Sequence, residues 1–142
     1  GYIHSSPVLG TNGNIYIASN PQLYMKHSMK LLESAYTLIN SGLKTLEIRL
    51  FDEKRQKLNI GDTIEFSKLP DLEQKLTVEI VALLRYRSFK DLLSDFGMEY
   101  YGRPNSYPIN KFLNDLYVVY PKEKEQLYGV LAIKIKLLTQ YK

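Results

Sequence analysis

The sequence predicts an α+β domain, a small barrel of mixed or antiparallel strands with helices at its rim. Three observations predict it. Leu46, Ile48 and Leu50 alternate with Thr45, Glu47 and Arg49, and Leu131, Ile133, Ile135 and Leu137 alternate with Ala132, Lys134 and Lys136, the period-two pattern of strands with one buried face. Helical patterns fall between groups of strands. No regular strand-helix repeat runs through the chain, which disfavours a doubly wound parallel sheet. At 142 residues, 44% of them hydrophobic, the chain can bury one core and is too short for two ordinary domains.

Residues 1–24 are dense in turn formers, among them Pro7, Gly10, Gly13 and Pro21, and hold only Ile15-Tyr16-Ile17 as a short strand. They read as an N-terminal extension. A start at Gly1 fits a processed or vector-derived end, and residues 25–142 form the domain. From Met25 the texture becomes helical: Leu31, Leu32, Ala35, Leu38 and Ile39 recur at helical spacing, and Asn40-Ser41-Gly42 supplies a stop. The strand around Leu46 follows. Thr63–Ser67 and Leu76–Leu84 read as further strands. Ser88 to Leu93 reads as a helix capped by Ser88, with Asp91 at its third position. Residues 102–108, Gly-Arg-Pro-Asn-Ser-Tyr-Pro, form a loop, Asn110–Val119 a second helix that stops before Pro121, and Lys122–Gln126 a polar turn. The final strand carries Leu131 to Leu137.

A net charge of +4 and a pI near 9.1 favour an anionic partner, with nucleic acid or nucleotide ahead of membrane. The absence of cysteine excludes disulfides, thiolate zinc sites and cysteine nucleophiles and is compatible with a cytoplasmic location. The apolar stretches around Val78–Leu84 and Tyr128–Ile133 fall short of the roughly 20 residues that span a bilayer. His4 and His27 lie far apart without acidic partners at ligand spacing, so neither a metal nor another cofactor is expected. Serine hydrolase, Walker-type and dinucleotide fingerprints are missing. Oligomeric state is open.

The densest concentration of chemistry is Gly42-Leu43-Lys44-Thr45-Leu46-Glu47-Ile48-Arg49. Glu47 and Arg49 share a strand face. Lys44 has the opposite parity and converges with Glu47 only from a preceding turn or beside a bulge. Lys44 is either a solvated turn lysine or a group that meets a phosphate or, desolvated, acts as base or nucleophile. Glu47 and Arg49 are either a surface ion pair or, respectively, an acid/base group and a fork for phosphate. Lys54, Arg55 and Lys57 form a solvated hairpin turn or a phosphate contact, for which Arg55 is the best suited. Tyr100, Tyr101, Tyr107, Tyr117, Tyr120 and Tyr128 either pack the barrel rim or stack bases. Tyr101 and Tyr107 flank the Gly-Arg-Pro loop and are the leading stacking candidates.

The pattern G-x-K-x-x-E-x-R leaving a helix, then D-E-K-R-Q, then G-D-x-I-x-F, resembles the ASCH domain family of the PUA-like superfamily. It stands here as Gly42, Lys44, Glu47 and Arg49, then Asp52 to Gln56, then Gly61, Asp62, Ile64 and Phe66. The likeness runs from His27 through Tyr86-Arg87-Ser88-Phe89 to Gly129 and Val130. It implies a PUA-like β-barrel with a cleft for RNA or a nucleotide-like ligand. Members differ: some are coactivator-linked modules, some ribonucleases, some N4-acetylcytidine amidohydrolases. The amidohydrolase type carries a threonine three residues after its lysine, where this chain has Glu47, and a later glutamate to which Glu99 is out of register. Catalytic candidates are Lys44 and Glu47. The family position of His27 makes it a ligand donor, against a role in packing the first helix. Tyr86 and Ser88 join the ligand candidates, against core packing and helix capping. The leading expectation is a module that binds RNA or a nucleotide in a cleft lined by Lys44, Glu47 and Arg49. The alternatives are a hydrolase of RNA or of a modified nucleoside, and a protein-interaction module.

Overall fold

A computed structural model describes residues 7–9, 15–17 and 23–139. Pro7–Leu9 (β1) and Ile15–Ile17 (β2) pair antiparallel in a two-stranded sheet of their own. The main sheet has five strands: Lys26–Leu31 (β3), Leu46–Leu50 (β4), Thr63–Lys68 (β5), Lys75–Tyr86 (β6) and Val130–Thr139 (β7). Their order is β3-β5-β6-β7-β4, with β3 parallel to β5 and the other neighbours antiparallel. The sheet curls into a half-barrel whose two free edges are β3 and β4. Four helices accompany it: Glu33–Asn40 (α1), Phe89–Asp95 (α2), Ile109–Val119 (α3) and Lys122–Tyr128 (α4).

The sheet buries both faces, and one β-bulge sorts its side chains between them. On β6, Leu76, Val78 and Ile80 face the inner core with Ile64, Phe66, Leu131 and Ile133, closed by Tyr36 and Ile39 of α1. The register slips between Ile80 and Ala82, which adds one residue at Val81. An inserted residue reverses the two-residue alternation. Beyond it Leu83 packs against the inner core while Leu84 and Tyr86 turn to the outer core, made with Phe89, Leu92 and Leu93 of α2 and the apolar side of α3. The tyrosines of the second half belong to this outer core: Tyr101 lies inside it, and Tyr100, Tyr107, Tyr117, Tyr120 and Tyr128 pack against it.

Three segments differ from the sequence reading. Pro7–Leu9 is a strand beside the expected Ile15–Ile17. Lys26–Leu31 is a strand and the helix begins only at Glu33. Met29 and Leu31 point inward while Lys26, Ser28 and Lys30 are exposed, a two-residue alternation masked by the helical spacing that starts at the same Leu31. Lys122–Tyr128 is a helix where a polar turn was expected. Its Glu125 is buried and accepts hydrogen bonds from the Phe89 amide (2.8 Å) and the Tyr117 hydroxyl (2.8 Å), so one charged residue docks α4 against α2 and α3. The remaining elements fall within a few residues of their expected bounds.

Gly42 takes φ +80° past the end of α1, and the amides of Gly42 and Leu43 return to the carbonyls of Ile39 and Leu38. Ser88 accepts the Asp91 amide at 3.1 Å. Ser88→Ala should therefore cost about 1 kcal/mol, read as a lowered midpoint in urea with an unchanged slope.

Candidate functional site

Lys44 escapes strand parity because it precedes β4. Its amide and that of Leu43 close on the Leu38 carbonyl, and Lys44 pairs with Tyr101 in an isolated antiparallel bridge, while Thr45 donates to the Tyr100 carbonyl. From this turn the Lys44 ammonium reaches Glu47 Oε1 at 2.9 Å. Arg49, two residues on along β4 and on the same face as Glu47, holds Oε2 in a fork, Nε at 3.0 Å and Nη2 at 2.9 Å. The Ile48 amide donates to Oε1 at 3.2 Å. Glu47 is only 4% exposed, yet it has a partner on each oxygen. Burial pushes its carboxyl up, but the charges and hydrogen bonds of Lys44 and Arg49 outweigh burial and hold it near about 2. Burial lowers the Arg49 pKa, and the charge of Glu47 more than restores it.

Arg49 also spans the open side of the half-barrel. Its Nη2 donates to the Lys30 carbonyl of β3 at 2.8 Å, and Lys54, just after β4, donates to the Ser28 carbonyl at 2.6 Å. Two cations thus occupy carbonyls at a free strand edge that otherwise invites pairing with another chain.

Along this seam runs a groove of three adjoining cavities. The first, about 390 Å³, is lined by Ser28, Lys30, Arg49, Lys54, Arg55 and Ser67 with Met29 and Leu72, and no carboxylate lines it. The middle one, about 340 Å³, shares Lys30 and Arg49 with the first and has Lys44, Glu47 and Tyr120 in its walls. The third, about 300 Å³, shares Lys44, Phe112 and Leu116 with the middle one and adds Tyr101 and Arg103. In the first cavity Arg55 is paired to Asp52 at 3.1 Å, but its Nε is buried with no hydrogen-bond partner among the described residues. Lys30 and Lys54 have no ion pair among the described residues. Burial and the charges of Arg55 and Arg49 push the Lys54 ammonium down, the signature of crowded cations.

A groove with this motif at its floor, on this sheet, can be compared with known proteins. The profile of the ASCH domain matches residues 29–139. The chain belongs to the ASCH domain family. The crystal structure of hypothetical protein PH0355 is 35% identical with a TM-score of 0.70, covering 80% of this chain and 100% of that one. The solution structure of protein PF0455 from Pyrococcus furiosus is also 35% identical, with a TM-score of 0.64, covering 80% of this chain and 98% of that one. ASCH from Zymomonas mobilis, 16% identical, shares the fold with a TM-score of 0.52 over 78% of this chain and 66% of that one. No curated protein matches the chain. Members of the ASCH family are in general RNA-binding or hydrolase-like, and the half-barrel with four helices is the family's PUA-like α+β fold.

The ASCH groove gathers Lys44, Glu47, Arg49, Arg55 and Tyr101 from the sequence candidates, and Tyr107 lies at its far end, where Arg103 (5.2 Å) and Lys111 (5.3 Å) both sit over its ring. Three candidates lie elsewhere. His27, on β3 and not on a helix, meets Asp62 at 2.7 Å, and Asp62 also accepts the Met25 and Asn59 amides, so this pair fastens the start of β3 to the turn before β5. Tyr86 donates to Asp95, the last residue of α2, at 2.9 Å, and Ser88 caps the start of that helix. Sequence reasoning missed Lys30, and it named Tyr120 only among the tyrosines of the second half. Only alternation along β3 could have brought Lys30 to the seam, and Tyr120 reaches β4 from 72 residues away, its hydroxyl 3.5 Å from the Ile48 carbonyl. Among the described residues no three carboxylates or histidines converge as metal ligands, and no helix is long and apolar enough to cross a membrane.

A carboxyl at about 2 when folded and 4.5 as the ordinary value stabilises the fold fully above pH 4.5 and loses that contribution as pH falls toward 2. The contribution is on the order of 3 kcal/mol. In urea melts, the stability gap between the wild type and Glu47→Gln should be largest at neutral pH and close across that acidic window.

Proposed function

We propose that this ASCH domain binds single-stranded RNA or a nucleotide along the seam groove, with phosphate in the first cavity. The observation that carries the reading is the set of four cations, Lys30, Arg49, Lys54 and Arg55, around one cavity whose lining includes no carboxylate. Like charges held together at a protein surface cost free energy that an anion removes. The three-donor ammonium groups of Lys30 and Lys54 supply hydrogen-bond donors of the kind that meet phosphate oxygens. The family's general character as RNA-binding or hydrolase-like points the same way.

Binding is favoured over proton transfer at Glu47. A carboxylate at about 2, with a cation on each oxygen, is a weak proton acceptor at neutral pH, whereas general bases work best when poised near it. Glu47 on this reading orients Lys44 and Arg49, and those two cations meet the ligand.

The test is fluorescence anisotropy with a labelled single-stranded RNA over a range of salt. Lys54→Ala and Arg55→Ala should each weaken binding and reduce the slope of log affinity against log salt by about 1. Ser88→Ala, which removes only the cap of α2 and lines no part of the groove, should leave both unchanged. Affinity and salt slope untouched by Lys54→Ala and Arg55→Ala in folded protein contradict the reading.

A further inference from the structure

The cations around the first cavity differ in what already neutralises them. Arg55 pairs with Asp52 at 3.1 Å, and Arg49 forks onto Glu47, which it shares with Lys44. Lys30 and Lys54 have no ion pair among the described residues, and Lys54 uses one of its three donors on the Ser28 carbonyl. Glu65, opposite Ser28 on β5, is taken by Lys26 at 3.0 Å and Lys75 at 3.8 Å. The cavity lining therefore carries two positive charges without a countercharge, with Ser28 and Ser67 in the same wall. The trio of Lys44, Glu47 and Arg49 leaves one further positive charge, at the middle cavity. Of the three cavities the first ends the row: it shares Lys30 and Arg49 with the middle one and no residue with the third. Leu72, in the turn between β5 and β6, also lines it and takes φ +63°. A leucine in this left-handed region costs on the order of 1–3 kcal/mol that a glycine would avoid, and residues held this way gather at ligand sites.

We propose that the first cavity holds a phosphate monoester, the phosphorylated end of the bound strand, in preference to an internal phosphodiester. The inference rests on the RNA-binding reading above and adds to it which phosphate the cavity takes. A monoester carries a charge of about −1.5 to −2 at neutral pH and three acceptor oxygens, whereas a backbone phosphate carries about −1 and has fewer free oxygens. Two uncompensated lysines match the first and exceed the second. Each ammonium is a point charge with rotatable donors, and the hydroxyls of Ser28 and Ser67 add donors to the same wall. The single excess charge at the middle cavity matches the diester that follows along the groove. An end phosphate also agrees with the place of the cavity, at one end of the row, where the strand need not continue beyond it.

The experiment titrates unlabelled oligoribonucleotides of one short sequence into the protein by calorimetry. The strands end in a 5′-phosphate, a 3′-phosphate, the methyl ester of either phosphate, or hydroxyls at both ends. The wild type should bind one of the two monoester strands about tenfold more tightly than the hydroxyl-ended strand, which also tells which end the cavity takes. The methyl ester, equal in shape but with a single charge, should lose most of that gain. Lys30→Ala and Lys54→Ala should each shrink the preference to about threefold or less, and Lys57→Ala, an exposed lysine of the same turn that does not line the cavity, should leave it intact. Equal wild-type affinity for monoester and hydroxyl ends overturns the assignment while leaving groove binding intact, and binding of no strand overturns both. A methyl ester as tight as the monoester, or a preference that survives both Lys30→Ala and Lys54→Ala in folded protein, also overturns it.

Discussion

Glu47 is a carboxylate withdrawn from water beside the one gap in the sheet that backbone hydrogen bonds do not close, and the arrangement of the rest of the molecule around that gap follows from meeting its charge. A buried carboxylate is tolerated only with cations and donors at hand. Lys44 comes from the turn that ends α1, so the helix stop at Gly42 sets its position. Arg49 comes from the same face of β4 and continues to the Lys30 carbonyl on β3. One ion network therefore ties the helix exit, one free edge strand and the other into a single geometry. Buried ion pairs are poor evidence of net stability, but removing one partner leaves uncompensated charge, and that penalty fixes which arrangement is adopted.

The same network forms the floor of the groove and divides it. On one side lie Lys30 and Lys54, with no ion pair among the described residues, beside Arg49 and Arg55, which Glu47 and Asp52 hold in place. On the other lie Phe112, Leu116 and Tyr101 in an apolar chamber. Tyr120 belongs to the middle of this groove, where burial pushes its hydroxyl pKa up against the opposing charge of Arg49.

Much of this was legible in the sequence because it depends on local rules. Alternation around Leu46 and Leu131, the Gly42 stop and the Ser88 cap each involve residues within one or two turns of one another. The condition that Lys44 must sit on the turn before β4 to reach Glu47 also followed from parity alone, and the structure meets it. What stayed hidden depends on distant partners or on one residue serving two elements. Leu31 ends the strand β3 and Leu32 precedes the helix α1, yet both fit the helical spacing, so the more regular period concealed the shorter one. Glu125 looks like surface until Phe89 and Tyr117 are placed over it, and His27 looks like a ligand donor until Asp62 arrives from 35 residues away. The bulge at Val81 leaves no sequence mark, although it decides which side chains of β6 build the outer core.

The central claim is that the seam between β3 and β4 is where the ligand lies. An amide chemical-shift titration of isotopically labelled protein with a short single-stranded RNA tests it most directly. The account predicts saturable shifts clustered at Ser28, Lys30, Lys44, Arg49, Lys54, Arg55 and Ser67, with β6 and the helix α2 unmoved. Saturable shifts confined to α2 or α4, with the seam silent, would contradict it.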